Sequence, residues 1–187
     1  MRTIILNNTS DGVKEIFSEF VPLEFEHFLH DEGAVLIGAI DDSSVLLSAC
    51  GIAIVAIEDG DMVIKWMWVD PEMRYQGSGY GLLNTCFSLA EENGFEEIYA
   101  HIPVYEGEEY LDDSEIDDFF TEYYFDFVEK KNSDGMEVFE LSADVDTFQA
   151  IANNYGNEAY SQSKIQKEYD KFPKHFQVTD VEYFSGV

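Results

Sequence analysis

Val69-Asp70-Pro71-Glu72-Met73-Arg74-Tyr75-Gln76-Gly77-Ser78-Gly79 is the stretch whose reading decides the fold of this chain. It follows an apolar, strand-like run, Met62 to Val69, and opens an amphipathic run, Tyr80 to Asn93. Pro71 ends the strand, Arg74 supplies a fixed cation, and Gly77 and Gly79 let the backbone close around an anion at a helix start. A strand, a glycine turn and a helix N-terminus in this order read as a cradle for a diphosphate.

Working outward, Leu82, Leu83, Cys86, Phe87 and Ala90 repeat at helical spacing, so a one-faced helix is expected up to Asn93-Gly94. Glu97 to Ile102 is the next strand, parallel to the one before the helix through a crossover. Upstream, Thr3 to Leu6 reads as a strand, and Val13 to Phe20 and Leu23 to His30 as helices broken near Pro22. Gly33 to Ile40, Val45 to Glu58 and Met62 to Val69 form an antiparallel meander. On the last of these strands, alternation puts Trp66 and Trp68 on one face and Lys65 and Met67 on the other. Downstream, Glu106 to Glu122 is an acidic segment with helical character, and Phe125 to Lys131 with Met136 to Ser142 flank Asn132-Ser133-Asp134-Gly135 as a hairpin. The expectation is an α/β chain of the mixed α+β kind, with a central, mostly antiparallel twisted sheet flanked by helices.

The Arg74-x-x-Gly77-x-Gly79 loop, with the strand before it and the helix after it, resembles the R/Q-x-x-G-x-G/A signature of the GNAT superfamily of N-acetyltransferases. The order of elements from Thr3 to Ser142 is similar to that family as well. The resemblance implies that acetyl-CoA is the acetyl donor. Its pyrophosphate would lie on the amides and side chains from Arg74, Tyr75, Gln76, Gly77, Ser78 and Gly79 to Tyr80, and its pantetheine arm along Met67, Trp68 and Val69. It divides the chain into a GNAT-like acetyl-CoA-binding domain, residues 1–143, and a C-terminal extension, residues 144–187, read as helical and packed on the domain or on a second subunit. A homodimer is therefore open.

Acetyl transfer to an amine needs a base for the amine proton and gains from an acid beside the departing thiolate. The family usually supplies the acid as a tyrosine in a pattern like F-Y-x-x-x-G-F. The matching stretch is Phe119-Phe120-Thr121-Glu122-Tyr123-Tyr124-Phe125, where Phe120 holds the tyrosine position and Tyr124 the glycine position. Asp113 stands where the family often has a CoA-contacting asparagine. Tyr124 and Tyr123 are the substitutes available as acid, and Glu58, Asp61 and His101 are open as base. His27 and His30 share a helix, but a pair alone names no metal site.

Composition bounds the partners. With 39 acidic against 10 basic residues and a formal net charge of -29, the chain should repel nucleic acid and anionic membrane surfaces and favour cations. Between Glu106 and Glu129 there are eleven acidic residues and no basic one, so a cationic amine acceptor is the expectation. Cys50 and Cys86 lie in apolar surroundings and read as buried thiols. A cytoplasmic protein fits the absence of a leader pattern or apolar span. Two other readings stay open: a non-catalytic acyl-CoA sensor on the same fold, and an acidic interaction module whose glycine loop is only structural.

Overall fold

The computed structural model describes residues 2–7, 9, 11–41, 48–74, 76–104, 115–148, 150 and 182–183. Eight strands form one sheet: β1 (Arg2–Ile5), β2 (Ala34–Asp41), β3 (Ser48–Glu58), β4 (Asp61–Val69), β5 (Glu97–Pro103), β6 (Asp126–Ser133), β7 (Met136–Asp144) and β8 (Glu182–Tyr183). Their spatial order is β6-β7-β5-β4-β3-β2-β1-β8. From β1 to β4 every pair is antiparallel, as are β5 with β7 and β6 with β7. β4 and β5 run parallel, joined through helix α2 (Ser78–Glu92). Among the described residues are also helices α1 (Asp11–Ser18) and α3 (Glu115–Glu122) and a 3-10 segment at Leu23–His30. This is the mixed sheet expected from the sequence. Of the C-terminal extension, residues 145–148 and 150 are helical and β8 lies parallel to β1; residues 151–181 and 184–187 fall outside the described residues, as does most of the acidic segment, 105–114.

The sheet separates two cores. On one face α1 and the 3-10 segment press Phe17, Phe25, Phe28 and Leu29 onto Ile4, Leu36, Ile52 and Ile54. Pro22 caps the 3-10 segment in extended conformation, which accounts for the break between the two helical runs. On the other face α2 lays Leu82, Leu83, Cys86 and Phe87 onto Ile37, Ala53, Ile64 and Ile98. The expectation of a one-faced α2 needs correction, because Asn84, Thr85 and Ser88 are buried too. Thr85 faces β1, its hydroxyl 2.9 Å from that of Thr3, and Phe148 stacks on Phe87 at 3.8 Å. The buried hydroxyls stay bonded, Thr85 to Gly81 O and Ser88 to Asn84 O, as burial requires.

One irregularity reshapes β4. Ile54 pairs with Trp66 but Val55 pairs with Ile64, so Lys65 is an extra residue bulged out of the ladder. Simple alternation fails there. Ile64 and Met67 pack toward α2, whereas Trp66 stacks on Phe25 at 5.1 Å on the opposite face. Lys65 joins Trp66 on that face, its Nζ 6.0 Å from the Phe28 ring centre, rather than sharing a side with Met67. Trp66 and Trp68 do share a face, as their stacked rings show. Both cysteines are buried, and burial pushes the Cys50 thiol up to about 11. Among the described residues no helix is long and apolar enough to cross a membrane.

Close packing is tight where Phe17 crosses β2. A Cβ at Gly38 would lie 2.6 Å from Phe17 Cε1, so Gly38→Ala must displace a buried ring. Overpacking of this kind costs about 1–3 kcal/mol, and urea unfolding should show a lower midpoint at unchanged slope.

Candidate functional site

The loop between β4 and α2 is held from several directions. Asp70 accepts the Glu72 amide at 2.8 Å and starts a 3-10 turn, Pro71–Met73. Arg74 then folds back: Nε donates to Val69 O at 3.2 Å and the guanidinium lies 4.8 Å from the Trp68 ring centre. Gly77 caps α2 with φ 94°, a left-handed conformation that a side chain would strain. The first intrahelical bond runs from Gly81 N to Gly77 O, so helix geometry directs the amides of Ser78, Gly79 and Tyr80 past the end of α2. The buried Ser78 hydroxyl donates to Met73 O and pins the turn. Gly79 is small for a reason the sequence did not carry: a Cβ there would lie 3.0 Å from the Phe119 ring of α3. Gln76 bonds back to Glu72 O. Tyr75 falls outside the described residues.

Beside this loop the sheet opens. β4 pairs with β5 only at Met62, Val63 and Ile64, while β5 continues alongside β7 as far as Pro103. The Asp70 amide donates to Cys50 O, so by the two-residue repeat the backbone groups of Trp68 and Trp66 aim at β3 and those of Met67 and Val69 aim away. The turn of Val69 O toward Arg74 agrees with this. The edge of β4 at Met67–Val69 therefore faces the gap left by β5, with the glycine loop at its outer end. An extended, amide-bearing arm ending in a diphosphate fits these features.

α3 leans on the same loop. Phe119 meets Gly79, and Tyr123 packs 5.6 Å from the Tyr80 ring and 5.0 Å from Phe119. The helix stops at Glu122, so Tyr124 does not share a helical face with Phe120. Phe120 is buried against Phe125 at 5.0 Å, while Tyr124 is 49% exposed. The end is a Schellman turn: Phe125 N donates to Phe120 O, Tyr124 N donates to Thr121 O, and Tyr124 takes φ 67°. Tyr124 thus occupies a position that glycine fills best.

On the opposite side of the gap lies a polar cluster that sequence reading did not assemble. The Lys65 ammonium, delivered by the bulge, sits 2.8 Å from Glu58, 2.7 Å from Asp134 and 2.7 Å from Ser133 Oγ. His101 follows the last paired residue of β5 and is buried, with Nε2 3.0 Å from Glu140 Oε2 and Nδ1 3.3 Å from Lys65 Nζ. Lys131 closes the group on Glu140. Burial pushes the His101 pKa down, and the charges of Lys65 and Lys131 add to this against the pull of Glu140. The Lys65 hydrogen bond holds Asp134 low; burial raises Glu58, but the Lys65 hydrogen bond and the charges of Lys65, His101 and Lys131 together bring it below the usual range. A cavity of about 330 Å³ opens above, between the 3-10 segment and the β6–β7 turn, lined by Glu24, Phe25, Lys65, His101 and Asp134 among others. Of the three base candidates, Glu58 and His101 enter this cluster; Asp61 is exposed at the β3–β4 turn. The sequence marked Glu58 and His101 as base candidates and Lys65 as a lone cation inside an apolar strand, but not that they meet.

Residues 6–106 match the acetyltransferase (GNAT) family. No curated protein matches the chain significantly. Among solved structures, an aminoglycoside 6′-N-acetyltransferase complexed with coenzyme A is 14% identical with a TM-score of 0.56, over 73% of this chain and 92% of that one. Ard1 from Thermoplasma volcanium is 15% identical with a TM-score of 0.55, over 77% and 98%. A spermidine N-acetyltransferase chimera from Vibrio cholerae and hSSAT is 12% identical with a TM-score of 0.54, over 80% and 99%. The chain belongs to the GNAT family of acetyltransferases. It is an acyltransferase, and acetyl-CoA is its donor.

The left-handed backbone at Tyr124 has a measurable cost. A side chain in this conformation costs about 1–2 kcal/mol, part of which glycine returns through unfolded-state entropy. Tyr124→Gly should therefore raise stability by up to about 1 kcal/mol in thermal or urea unfolding.

Proposed function

We propose that the chain transfers acetyl directly from acetyl-CoA to an amine, and that the acceptor is cationic. The observation that carries the reading is the parting of β4 from β5, with a helix-start loop at its outer end and a cavity beside its apex that holds Glu24 and Asp134 along with Lys65. In this reading the amides of Ser78 to Tyr80, with Arg74, Tyr75, Gln76 and Gly77, hold the pyrophosphate. The outward backbone groups of Met67 and Val69 take the pantetheine arm beside Trp68. Residues 1–143 form the acetyl-CoA-binding unit and residues 144–187 an extension of it, in a cytoplasmic protein. The acceptor enters the cavity, where Glu24 and Asp134 favour an ammonium.

Between the two tyrosines proposed as acid for the leaving thiolate, Tyr123 is better supported. It rests against Tyr80 in the first turn of α2, whereas Tyr124 turns to solvent. A non-catalytic acyl-CoA sensor is favoured by one observation, the burial of Phe120 where the family usually has its tyrosine. Amine-dependent release of the CoA thiol separates the two readings. Polyamines and aminoglycosides, the acceptor classes named for two of the similar structures, come first in such a panel.

Arg74→Ala should weaken acetyl-CoA binding by about 1–3 kcal/mol in calorimetric titration, the range for a charge-assisted bond. Unchanged affinity in a folded variant removes the cradle. Acceptors with two or more positive charges should show the higher kcat/KM, and their advantage should shrink as salt shortens screening below about 8 Å. A salt-insensitive preference assigns the acidity to solubility instead. Tyr123→Phe should lower kcat by about 10²-fold with acetyl-CoA affinity intact, and full activity in the Tyr123→Phe, Tyr124→Phe double variant overturns the acid assignment.

A further inference from the structure

The sheet and the cavity meet at His101. It is the first residue of β5 beyond the last β4–β5 pair, Ile64 with Ala100, so it stands at the apex where the strands part. It also lines the cavity. Its two ring nitrogens have different duties. Nε2 lies 3.0 Å from Glu140 Oε2; because a carboxylate only accepts, Nε2 must carry the proton, and the lone pair of the neutral ring falls on Nδ1.

Nδ1 has Lys65 Nζ at 3.3 Å as a donor within hydrogen-bond range. Lys65 has only three protons, and three nearer oxygens take them: Asp134 at 2.7 Å, Ser133 Oγ at 2.7 Å and Glu58 at 2.8 Å. His101 is the fourth and longest neighbour. Lys65 therefore holds the lone pair through its longest contact, the one that an incoming N–H can most readily replace. A buried imidazole backed by a carboxylate, with its basic nitrogen beside a cavity, is the arrangement that proton abstraction requires.

We propose that His101 is the catalytic base for the acceptor amine, and that Glu140 is its positioning residue. This rests on the acetyl-transfer reading above. The acceptor ammonium gives one N–H proton to His101 Nδ1, and the freed lone pair attacks the thioester carbonyl carbon. The new C–N bond replaces the C–S bond, the sulfur leaves with its electron pair, and the second N–H proton ends on the thiol. His101 then returns its proton to solvent. Burial keeps the ring neutral and ready to accept near neutral pH. The charged groups around it are Glu58 on β3, Lys65 on β4, Lys131 on β6, Asp134 in the β6–β7 turn and Glu140 on β7, with Glu24 and His27 across the cavity.

The test is kcat/KM against pH with a polyamine acceptor, for the natural protein, His101→Gln and Glu140→Gln, with acetyl-CoA affinity measured calorimetrically on each. The natural protein should lose activity as pH falls through the His101 pKa, below the usual histidine range. His101→Gln should lose that acid limb and about 10²-fold or more in kcat, while binding acetyl-CoA as before. Glu140→Gln still offers Nε2–H an acceptor but removes the charge that raises the His101 pKa, so its acid limb should move to lower pH. This shift is a readout that loss of structure would not give. Full activity in His101→Gln, or an acid limb unmoved in Glu140→Gln, overturns the proposal and leaves acetyl transfer standing. Tight acetyl-CoA binding without amine-dependent thiol release in the natural protein overturns both.

Discussion

Everything at the site depends on β4 keeping β3 as its partner after it has lost β5. The Lys65 bulge is where this begins. A bulge adds one residue to one strand, bends it and increases its twist, and here pairing with β5 ends at the residue immediately before. Two consequences follow from the same extra residue. The edge of β4 turns its Met67 and Val69 backbone groups toward an opening, and the lysine swings onto the face that carries Phe25 and Phe28. In the proposed reading, the donor side and the acceptor side of the site are both set by one local insertion.

Packing then fixes the two walls. α2 is anchored on the sheet by Leu82, Leu83, Cys86 and Phe87, and held from above by Phe148, so the start of the helix cannot drift from the end of β4. α3 adds Phe119 against Gly79 and Tyr123 against Tyr80. On the other face Trp66 ties β4 to the turn after α1, its indole donating to Phe20 O, and to the 3-10 segment by stacking on Phe25. Rigid elements hold both halves, which preorganisation for group transfer requires.

Much of this was legible in the chain because it is written locally. Gly77 and Gly79 after a proline-ended strand announce the loop, and the periodicities of β2 to β4 and α2 announce the sheet and its helix. The bulge was not legible, since Ile64-Lys65-Trp66-Met67-Trp68 reads as plain alternation until the register of β3 is known. His101 and Glu140 lie far apart in sequence and meet only because β5 and β7 pair side by side. The left-handed turn at Tyr124 was hidden for the opposite reason. The sequence offers no glycine there, and the hydrophobic contact of Phe120 with Phe125 closes the turn in its place.

β6 has a bearing on how the protein behaves in bulk. It ends the sheet on one side, and an open strand edge invites a second molecule to add to it. Here the edge carries Asp126, Glu129, Lys130 and Lys131 and is broken by a register shift between Phe127 and Glu129. Lys130 and Lys131 are drawn back onto Glu137 and Glu140 of β7. A neighbouring chain would have to match a kinked ladder while bringing its own large negative charge alongside. Charge and the register shift thus work against a second chain adding to this edge, although Phe127 and Val128 stay exposed on it among the described residues.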